Sequence, residues 1–428
     1  MTALPTLVVV FDRGAVTLSE LATLDDVAEI LFAVPGSDYA ARLRPVLTEL
    51  GTVVTLTGDS GADAARIRRH HPAGIVTFSD PMLRVTAGLA AALGLPYHHP
   101  HTAMLLTDKY LQRERLRGAG VDSARCRRVS GADDWWSAVA EVGLPAVVKP
   151  AWGAGSRDTW PVADVVAAKD LAAELFAGSE PRGGMVLEEY LPGRDLRPAG
   201  DYVGVESVCM GHRVEHIAIT GKFPLEQPFR EVGQYWPSVI GADEASGVMR
   251  LATDALRALD VRTGFVHTEV KLGLAGPRII EVNGRMAGDL HQYATQACSA
   301  DLVRAACRLA LDADVRLPPL HPEGVFFQYT SLGPTRPCRL EAVHGARTVR
   351  GTDGVAGYRS VVRPGQRLPG GVMTDPMDFL WGRAADHTGM FDVLDLALSA
   401  LSFEFSLGDA ERVVVEPPRP WAAEAGAL

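Results

Sequence analysis

Residues 264–289 decide the fold prediction, because they contain two similar stretches, GFVHTEVKL at 264–272 and GPRIIEVNGRMAGD at 276–289. In both stretches apolar residues alternate with polar ones, which is typical of strands that bury one face. The turn signal Ala-Gly-Pro at 275–277 separates them. We therefore expect an antiparallel hairpin.

The pairing within this hairpin predicts a metal site. A turn centred near Ala275 places Glu269 opposite Glu281 and His267 opposite Asn283. Directly opposed carboxylates destabilise a strand pair, and a bound divalent cation removes that cost. Carboxylate oxygens suit a Mg²⁺ ion that bridges phosphates. A solvated strand face with fortuitous charges is the alternative interpretation.

A glycine-rich loop is the second candidate element. Lys149 ends an apolar strand, and Gly153, Gly155 and Ser156 follow it. Glycines let the backbone approach a phosphate closely, successive N–H groups form an anion site, and the lysine adds a positive charge. The loop is not a Walker A loop, because no Gly-Lys-Ser/Thr sequence follows. A plain turn without a ligand remains an alternative.

Residues 186–195, VLEEYLPGRD, are the third candidate element. They form an apolar strand that runs into a turn. The backbone at the strand end is available to hydrogen-bond an adenine, and Asp195 is available to accept from ribose hydroxyls. An ordinary strand followed by a turn explains the same residues.

Apolar runs and helical patterns alternate over residues 1–100. Continuous apolar strands with helical crossovers predict a parallel sheet that is covered on both faces. We therefore expect a doubly wound, Rossmann-like α/β domain with strands at 7–11, 27–34, 52–56 and 74–78 and helices at 38–50, 60–71 and 82–93. The first strand is not followed by GxGxxG, which argues against a dinucleotide site.

Two further regions follow this domain. Residues 101–316 mix strands with helices, and single helices are expected over 105–117 and 290–311. The proline-rich segment 317–322 predicts a boundary. Residues 317–428 are expected to form a C-terminal α+β subdomain, so the predicted fold class combines α/β and α+β architecture.

Composition restricts the partners and the location. The 428 residues carry a net charge of −10, which argues against a general nucleic-acid or membrane-surface binder. Five scattered cysteines without a CxxC pair are typical of reduced thiols. No apolar run approaches the roughly 20 residues of a membrane span, and the first residues lack a basic signal-peptide region. We expect a cytoplasmic protein with small-molecule substrates.

Taken in order, these motifs resemble the ATP-grasp superfamily. The resemblance spans about residues 105–312 and includes TDKYLQRERLRGAGV at 107–121, PAVVKPAWGAGS at 145–156, VLEEYLPGRD and both hairpin strands. The HTE and EVNGR motifs and the hairpin at 203–219 look most like carboxylate–amine ligases of the bacterial L-amino-acid ligase (dipeptide synthetase) type. The resemblance implies an ATP-grasp fold with a lid over about 125–200. It also implies amide formation through an acyl phosphate with release of ADP and phosphate.

The resemblance implies ATP and Mg²⁺ (or Mn²⁺) as cofactors, a homodimer, and a role for each matching residue. The expected nucleotide contacts are Lys109 and Lys149 at the phosphates, Gly153, Gly155 and Ser156 in the covering loop, Glu188, Glu189 and Leu191 at the adenine edge, and Asp195 at the ribose. The expected metal ligands are Glu269, Glu281 and Asn283, and Arg285 is expected at the acyl phosphate or the substrate carboxylate.

Four more residues are candidates on the substrate side. Glu206 matches a place where related ligases hold an acidic group near metal or amine, although an edge carboxylate fits equally. Glu231 is expected to pair with an α-ammonium group and Trp236 to line a side-chain pocket; a surface carboxylate and a core anchor are the alternatives. His267 is expected to face the substrate rather than to bind Mg²⁺, which prefers oxygen.

Two alternative functions stay open at this point. A carboxylase subunit or a purine-pathway ligase would carry the same ATP residues, although the chain has no AMKM-like biotin attachment sequence. A non-catalytic ATP-binding module has less need of Glu269, Glu281 and Asn283. One departure from the family pattern concerns closure of the glycine loop, because residues 157–160, RDTW, replace the small residues expected there.

Overall fold

The computed structural model describes residues 4–176, 184–318, 320–408 and 411–421. Its N-terminal domain has the expected parallel sheet, in the order β3-β2-β1-β4, built from β1 (Thr6–Val10), β2 (Glu29–Val34), β3 (Thr52–Thr55) and β4 (Pro72–Val76). The helices are α1 (Leu18–Leu21), α2 (Asp38–Leu50), α3 (Ser60–Arg68) and α4 (Leu83–Leu93). Leu7 and Val9 enter one apolar core, and Val8 enters a second core on the other face. Burial on both faces explains why this strand is continuously apolar.

The helix expected over 105–117 is two helices, α5 (Pro100–Thr107) and α6 (Lys109–Gly118). Asp108 interrupts them with an extended backbone (φ −113°, ψ 106°). Its carboxylate accepts a hydrogen bond from the Leu111 N–H at 3.1 Å, which satisfies one of the free amides at the start of a helix. The prediction was wrong because apolar periodicity does not reveal a helix N-cap, here Asp108, inside a helical stretch. The break places Lys109 at the first position of α6.

A four-stranded antiparallel sheet lies in the region that was predicted to be the lid. Its order is β5-β8-β6-β7, with β5 (Cys126–Val129), β6 (Ala146–Pro150), β7 (Trp160–Val162) and β8 (Met185–Glu189). Helices α7 (Ala132–Val142) and α8 (Val165–Leu175) cover one face. Trp135 of α7 is fully buried in this core and donates its indole N–H to the Ala168 carbonyl of α8 at 3.0 Å. The lid therefore has an apolar core of its own.

The largest sheet begins with five strands, β9 (Tyr202–Met210), β10 (Arg213–Lys222), β11 (Gly233–Trp236), β12 (Thr263–Gly273) and β13 (Gly276–Asn283). Helix α9 (Ala242–Ala258) packs on one face of these strands, and α10 (Leu290–Cys298) and α11 (Leu302–Ala310) pack between the other face and the N-terminal domain. The helical stretch expected over 290–311 consists of these two helices. Ser299 adopts a left-handed conformation (φ 52°), and Asp301 caps α11 by accepting from the Arg304 N–H at 2.9 Å.

The sheet continues past the boundary expected at residue 317. The remaining elements are β14 (Val325–Tyr329), β15 (Cys338–His344), α12 (Ala346–Arg350), β16 (Val355–Ser360), β17 (Arg367–Leu368), β18 (Asp378–Ala384), α13 (His387–Ser399), β19 (Ser402–Leu407) and β20 (Glu411–Val415). The eight-stranded order is β13-β12-β9-β10-β11-β14-β18-β16, and a second sheet has the order β17-β15-β19-β20. Strands on both sides of residue 317 therefore share one sheet. The proline-rich segment predicted a boundary, but it contains no information about the long-range pairing of β11 with β14.

Among the described ranges, no helix combines the length and the apolar character that a membrane span requires.

Asp378, the first residue of β18, makes the C-terminal region sensitive to pH. Its carboxylate accepts from the backbone N–H of Ser331 at 2.7 Å and from the Ser331 hydroxyl at 3.1 Å. Burial raises the pKa of the Asp378 carboxyl to about 6, although both hydrogen bonds from Ser331 oppose the rise. The folded protein is therefore stabilised at low pH, where the Asp378 carboxyl is protonated, and this contribution is lost as the pH rises through about 6.

We expect Asp378→Asn to show a smaller loss of stability with rising pH than the wild type. When the pH rises from about 5 to about 7.5, the free energy of unfolding of the variant should increase by about 1 kcal/mol relative to that of the wild type. Chemical denaturation of both proteins at the two pH values measures this shift. Parallel pH profiles would contradict the raised pKa.

Candidate active site

One cavity of about 350 Å³ is lined by strands of the lid and by strands of the central sheet. Most of the predicted site residues line this cavity: Lys109, Lys149, Gly153, Gly155, Ser156, Glu188, Glu189, Leu191, Glu231, His267, Glu269, Glu281, Asn283 and Arg285. Three predicted residues do not line it, namely Glu206, Asp195 and Trp236. The spread-out motifs of the sequence thus meet at one place in the fold.

The hairpin of β12 and β13 contains both predicted residue pairs. Glu269 pairs with Glu281, and His267 pairs with Asn283. Gly273 pairs with Gly276 across a two-residue turn, and a bulge between Glu269 and Val270 shifts the register so that the two glutamates meet. The alternation of side chains then directs these four polar groups towards the cavity, which all of them line.

Each opposed carboxylate has a cationic neighbour. Lys109 Nζ lies 2.5 Å from Glu281 Oε1, and His267 Nε2 lies 3.5 Å from Glu269 Oε1. Burial would raise the pKa of Glu269, but the hydrogen bond and charge of His267 lower it to about 2. Asn283 Nδ2 donates to Glu269 at 3.4 Å, which leaves the amide oxygen of Asn283 available. The two carboxylates together form an acceptor set that attracts cations.

Glu206 acts on the cavity through His267. The two residues are neighbours on β9 and β12, and Glu206 Oε1 lies 2.6 Å from His267 Nδ1. Burial would lower the pKa of His267, but the carboxylates of Glu206 and Glu269 raise it to about 9, so the ring is an imidazolium at neutral pH. Gly204 is required beside it, because a Cβ at this position would lie 2.5 Å from the His267 ring. Glu206 is a positioning residue in this arrangement.

Lys149 and Glu188 form the lid side of the cavity. Lys149 Nζ lies 2.8 Å from Glu188 Oε2, and Arg113 Nη2 lies 3.6 Å from the same oxygen. Glu188 therefore pairs with a lysine expected at the phosphates. Arg113 was not predicted, and its buried guanidinium also donates to the carbonyls of Ile279 and Ile280 at 2.8 and 2.9 Å. Its position four residues after Lys109 places both cations on one face of α6, which is the signal that sequence reasoning missed.

The glycine loop adopts the strained conformations that its glycines permit. Gly153 and Gly155 have φ values of 139° and 69°, and Ser156 has a φ of 53°. Gly155 accepts a hydrogen bond from the Thr374 N–H at 2.8 Å. The unexpected residues after the loop also contact the C-terminal region, because Asp158 donates its N–H to the Val372 carbonyl at 2.8 Å. Residues 372–374 thus hold this loop, a contact between distant segments that the sequence did not reveal.

Arg285 is oriented by the N-terminal domain. Its Nε donates to Asp80 Oδ2 at 2.8 Å, and its Nη1 donates to the Met286 carbonyl at 3.2 Å. Asp80 follows β4 at the carboxyl edge of the parallel sheet, where such sheets place their functional groups. Burial would lower the pKa of Arg285, but Asp80 and the carboxylates of Glu269 and Glu206 raise it. Asp80 was missed, although its place after the fourth strand was a usable signal.

The three remaining predictions have different outcomes. Glu231 lines the cavity, and its carboxylate lies 3.3 Å from Lys222 Nζ. Trp236 is 3% exposed and lies in the core that joins the sheet to the N-terminal domain. Asp195 pairs with Arg197, with Oδ1 2.9 Å from its Nε, and neither Trp236 nor Asp195 reaches the cavity. For Trp236 the core-anchor alternative describes what the structure shows.

No family model matches the chain. The chain is 31% identical over 284 residues to carnosine synthase 1 of Gallus gallus, an alignment covering 60% of this chain and 29% of that protein. It is 26% identical over 229 residues to alanine–anticapsin ligase of Bacillus subtilis (strain 168), covering 50% of this chain and 48% of that protein. The chain therefore spans less than half the length of both relatives.

A solved structure, the L-amino acid ligase from Bacillus licheniformis, has the same fold with a TM-score of 0.74 at 18% identity, over 94% of this chain and 98% of that one. The chain resembles ATP-grasp carboxylate–amine ligases in sequence and shares its fold with one of the solved structures. The predicted fold class and the predicted resemblance are confirmed.

Proposed function

We propose that this protein is an ATP- and Mg²⁺-dependent ligase that joins an amino acid, or a related carboxylic acid, to an amine or a second amino acid. The carboxylate attacks the γ-phosphorus of ATP to give an acyl phosphate and ADP. The amine then attacks the acyl carbon and displaces phosphate, which forms the amide. The observation that carries the proposal is the convergence of Lys109, Lys149, Arg285 and the opposed Glu269 and Glu281 on one cavity.

Phosphoryl transfer needs positioning and charge neutralisation more than a covalent protein group. Lys109 and Lys149 supply partly buried positive charge on the two sides of the cavity. Arg285, fixed by Asp80, has guanidinium N–H groups that suit a bidentate contact with a carboxylate or a phosphate. These groups favour a transition state in which negative charge accumulates on phosphoryl oxygens.

Magnesium fits the donor set of the hairpin. Glu269, Glu281 and Asn283 offer oxygen atoms, which Mg²⁺ prefers, and Mn²⁺ accepts the same donors. Among the described residues, no group of three or more His, Cys, Asp or Glu side chains is arranged to hold a metal ion. Mg²⁺ usually takes one or two protein carboxylates together with phosphates and water, and Glu269 and Glu281 are two such carboxylates. When bound, the ion would neutralise the charge of the transferred phosphate.

The substrate class draws support from the relatives, whose names include alanine–anticapsin ligase and L-amino acid ligase. Both names describe ligases, and both refer to an amino acid as a substrate. The nucleotide contacts of Gly153, Gly155, Ser156, Glu189 and Leu191 belong to the same proposal, since all five line the cavity. The homodimer and the cytoplasmic location stay predictions.

A screen of ADP release tests this function. The purified protein is supplied with ATP, Mg²⁺ and pairs of amino acids, and each acid and each amine is also supplied alone. We expect ADP release only when both partners are present, together with a product whose mass equals the two substrates less one water. Stimulation by bicarbonate and biotin, and by no amino-acid pair, would instead favour a carboxylase. Bound ATP without turnover under every condition would favour a non-catalytic module.

A further inference from the structure

A row of polar side chains crosses the central sheet beside the cavity. Lys222 of β10 pairs with Gln234 of β11, which pairs with Gln328 of β14. Because directly paired residues project from the same face of a sheet, the three side chains form one row. All are buried, with exposed fractions of 4%, 4% and 8%. This row was not part of the site predicted from the sequence.

The two glutamines of the row are oriented by one carboxylate. Gln328 Nε2 donates to Asp289 Oδ1 at 2.6 Å, and Gln234 Nε2 donates to Asp289 Oδ2 at 3.4 Å. With its amide nitrogen turned to Asp289, Gln234 keeps its Oε1 buried and without a hydrogen-bond partner among the described residues. An unsatisfied buried acceptor is costly. Gln234 and Asp289 both line the cavity, so the cavity wall formed by these two residues contains one acceptor, Gln234 Oε1, that lacks a donor among the described residues.

The charges of this wall do not balance. Lys222 Nζ lies 3.3 Å from Glu231 Oε2, so Glu231 takes up the charge of the lysine. Among the described residues, the donors within hydrogen-bond distance of the Asp289 carboxylate are the neutral amides of Gln328 and Gln234. Burial raises the pKa of Asp289, although Lys222 and the two glutamines favour its ionised form. A ligand with one positive charge and several N–H groups satisfies both the charge and the free acceptor.

We propose that Asp289 and Gln234 bind the ammonium group of the amino acid whose carboxyl group is activated. This inference rests on the proposed function. A carboxylate stabilises the protonated form of a neighbouring amine, whereas the attacking amine must lose its proton before it reacts. The subsite therefore suits the ammonium group that does not react, and it makes a free amino group on the acyl donor a condition for binding.

The test compares an α-amino acid with its desamino analogue as acyl donor, at fixed ATP and amine concentrations. We expect the wild type to prefer the amino acid by at least about 10²-fold in kcat/KM, because a site built around buried acceptors rejects a ligand without the donor. Asp289→Asn should raise KM for the amino acid by about 30-fold while KM for ATP and turnover of the desamino acid stay unchanged. Gln234→Met should act in the same direction by about 10-fold.

Asp378→Asn is the matched control, since Asp378 is also buried but does not line the cavity. Three outcomes would overturn the inference. These are equal use of both donors by the wild type, an equal loss with both donors in Asp289→Asn, and a loss that higher Mg²⁺ reverses. The last outcome would assign Asp289 to a metal ion.

A binding measurement separates this inference from the proposed function. The amino acid and its desamino analogue are titrated calorimetrically into the protein with Mg²⁺ and a non-hydrolysable ATP analogue. If no pair of substrates drives ADP release, the proposed function fails. Binding of the amino acid that is weaker in Asp289→Asn and absent for the analogue still supports the ammonium subsite. Equal or absent binding of both compounds contradicts it.

Discussion

Glu281→Gln is expected to lower kcat for substrate-dependent ADP release by about 10²- to 10³-fold. Glutamine keeps the volume of the side chain and the register with Glu269 but removes one of the two opposed charges. The change also removes the anionic partner of Lys109, whose Nζ lies 2.5 Å from Glu281 Oε1. Initial rates over a titration of Mg²⁺ measure the effect, and the apparent affinity for Mg²⁺ should fall with kcat.

Glu215→Gln is a matched control for this prediction. Glu215 lies on β10 of the same sheet and pairs with Arg213 at 2.6 Å, outside the cavity. Because exposed ion pairs contribute little, this variant should keep its rate within about twofold of the wild type. If both variants behave alike, the assignment of Glu281 to a metal and phosphate site is wrong.

Arg285→Met is expected to lower kcat by about 10³-fold, with a smaller change in KM for ATP. The guanidinium is the cation that Asp80 holds at the cavity, and methionine keeps only the length of the side chain. Asp80→Asn should lower kcat by about 10-fold, because a neutral amide holds the Arg285 side chain less firmly at the 2.8 Å contact. Steady-state kinetics in both substrates separate kcat from KM.

Asp26→Asn provides the comparison for Asp80→Asn. Asp26 also belongs to the N-terminal domain and also pairs with an arginine of the following region, Arg304, at 2.8 Å, but neither residue lines the cavity. We expect this variant to keep its activity. Equal losses in both variants would mean that Asp80 only holds the domains together, and a partial recovery in Asp80→Glu would support its positioning role.

Local patterns located the strands and the hairpin. The pairs Glu269–Glu281 and His267–Asn283 were predicted from parity and a turn centred near Ala275. The two-residue turn alone would place Glu269 opposite Ile280, and a bulge between Glu269 and Val270 restores the predicted pairs. The parallel N-terminal sheet followed from apolar runs such as β1, which is buried on both faces. These properties depend on neighbours in the sequence, so the sequence contains them.

Helix continuity was the weaker part of the prediction. The breaks at Asp108 and at Ser299 fall inside stretches whose apolar spacing remains helical. A capping carboxylate and a left-handed residue interrupt the hydrogen bonds without changing that spacing. Sequence periodicity therefore located both regions but not their ends.

By itself the sequence determined the fold class, the order of the nucleotide motifs and the paired carboxylates, because each depends on a short, locally readable pattern. Only the tertiary structure decided which residues complete the cavity. Arg113, Thr374 and Asp289 line it and come from three separate segments, and Asp80 of a fourth segment holds Arg285. Trp236 lies in the core although it is two residues from Gln234. Their positions depend on how the N-terminal domain, the lid and the strands after residue 317 pack around the central sheet. Such long-range contacts leave no periodic signal in a single sequence.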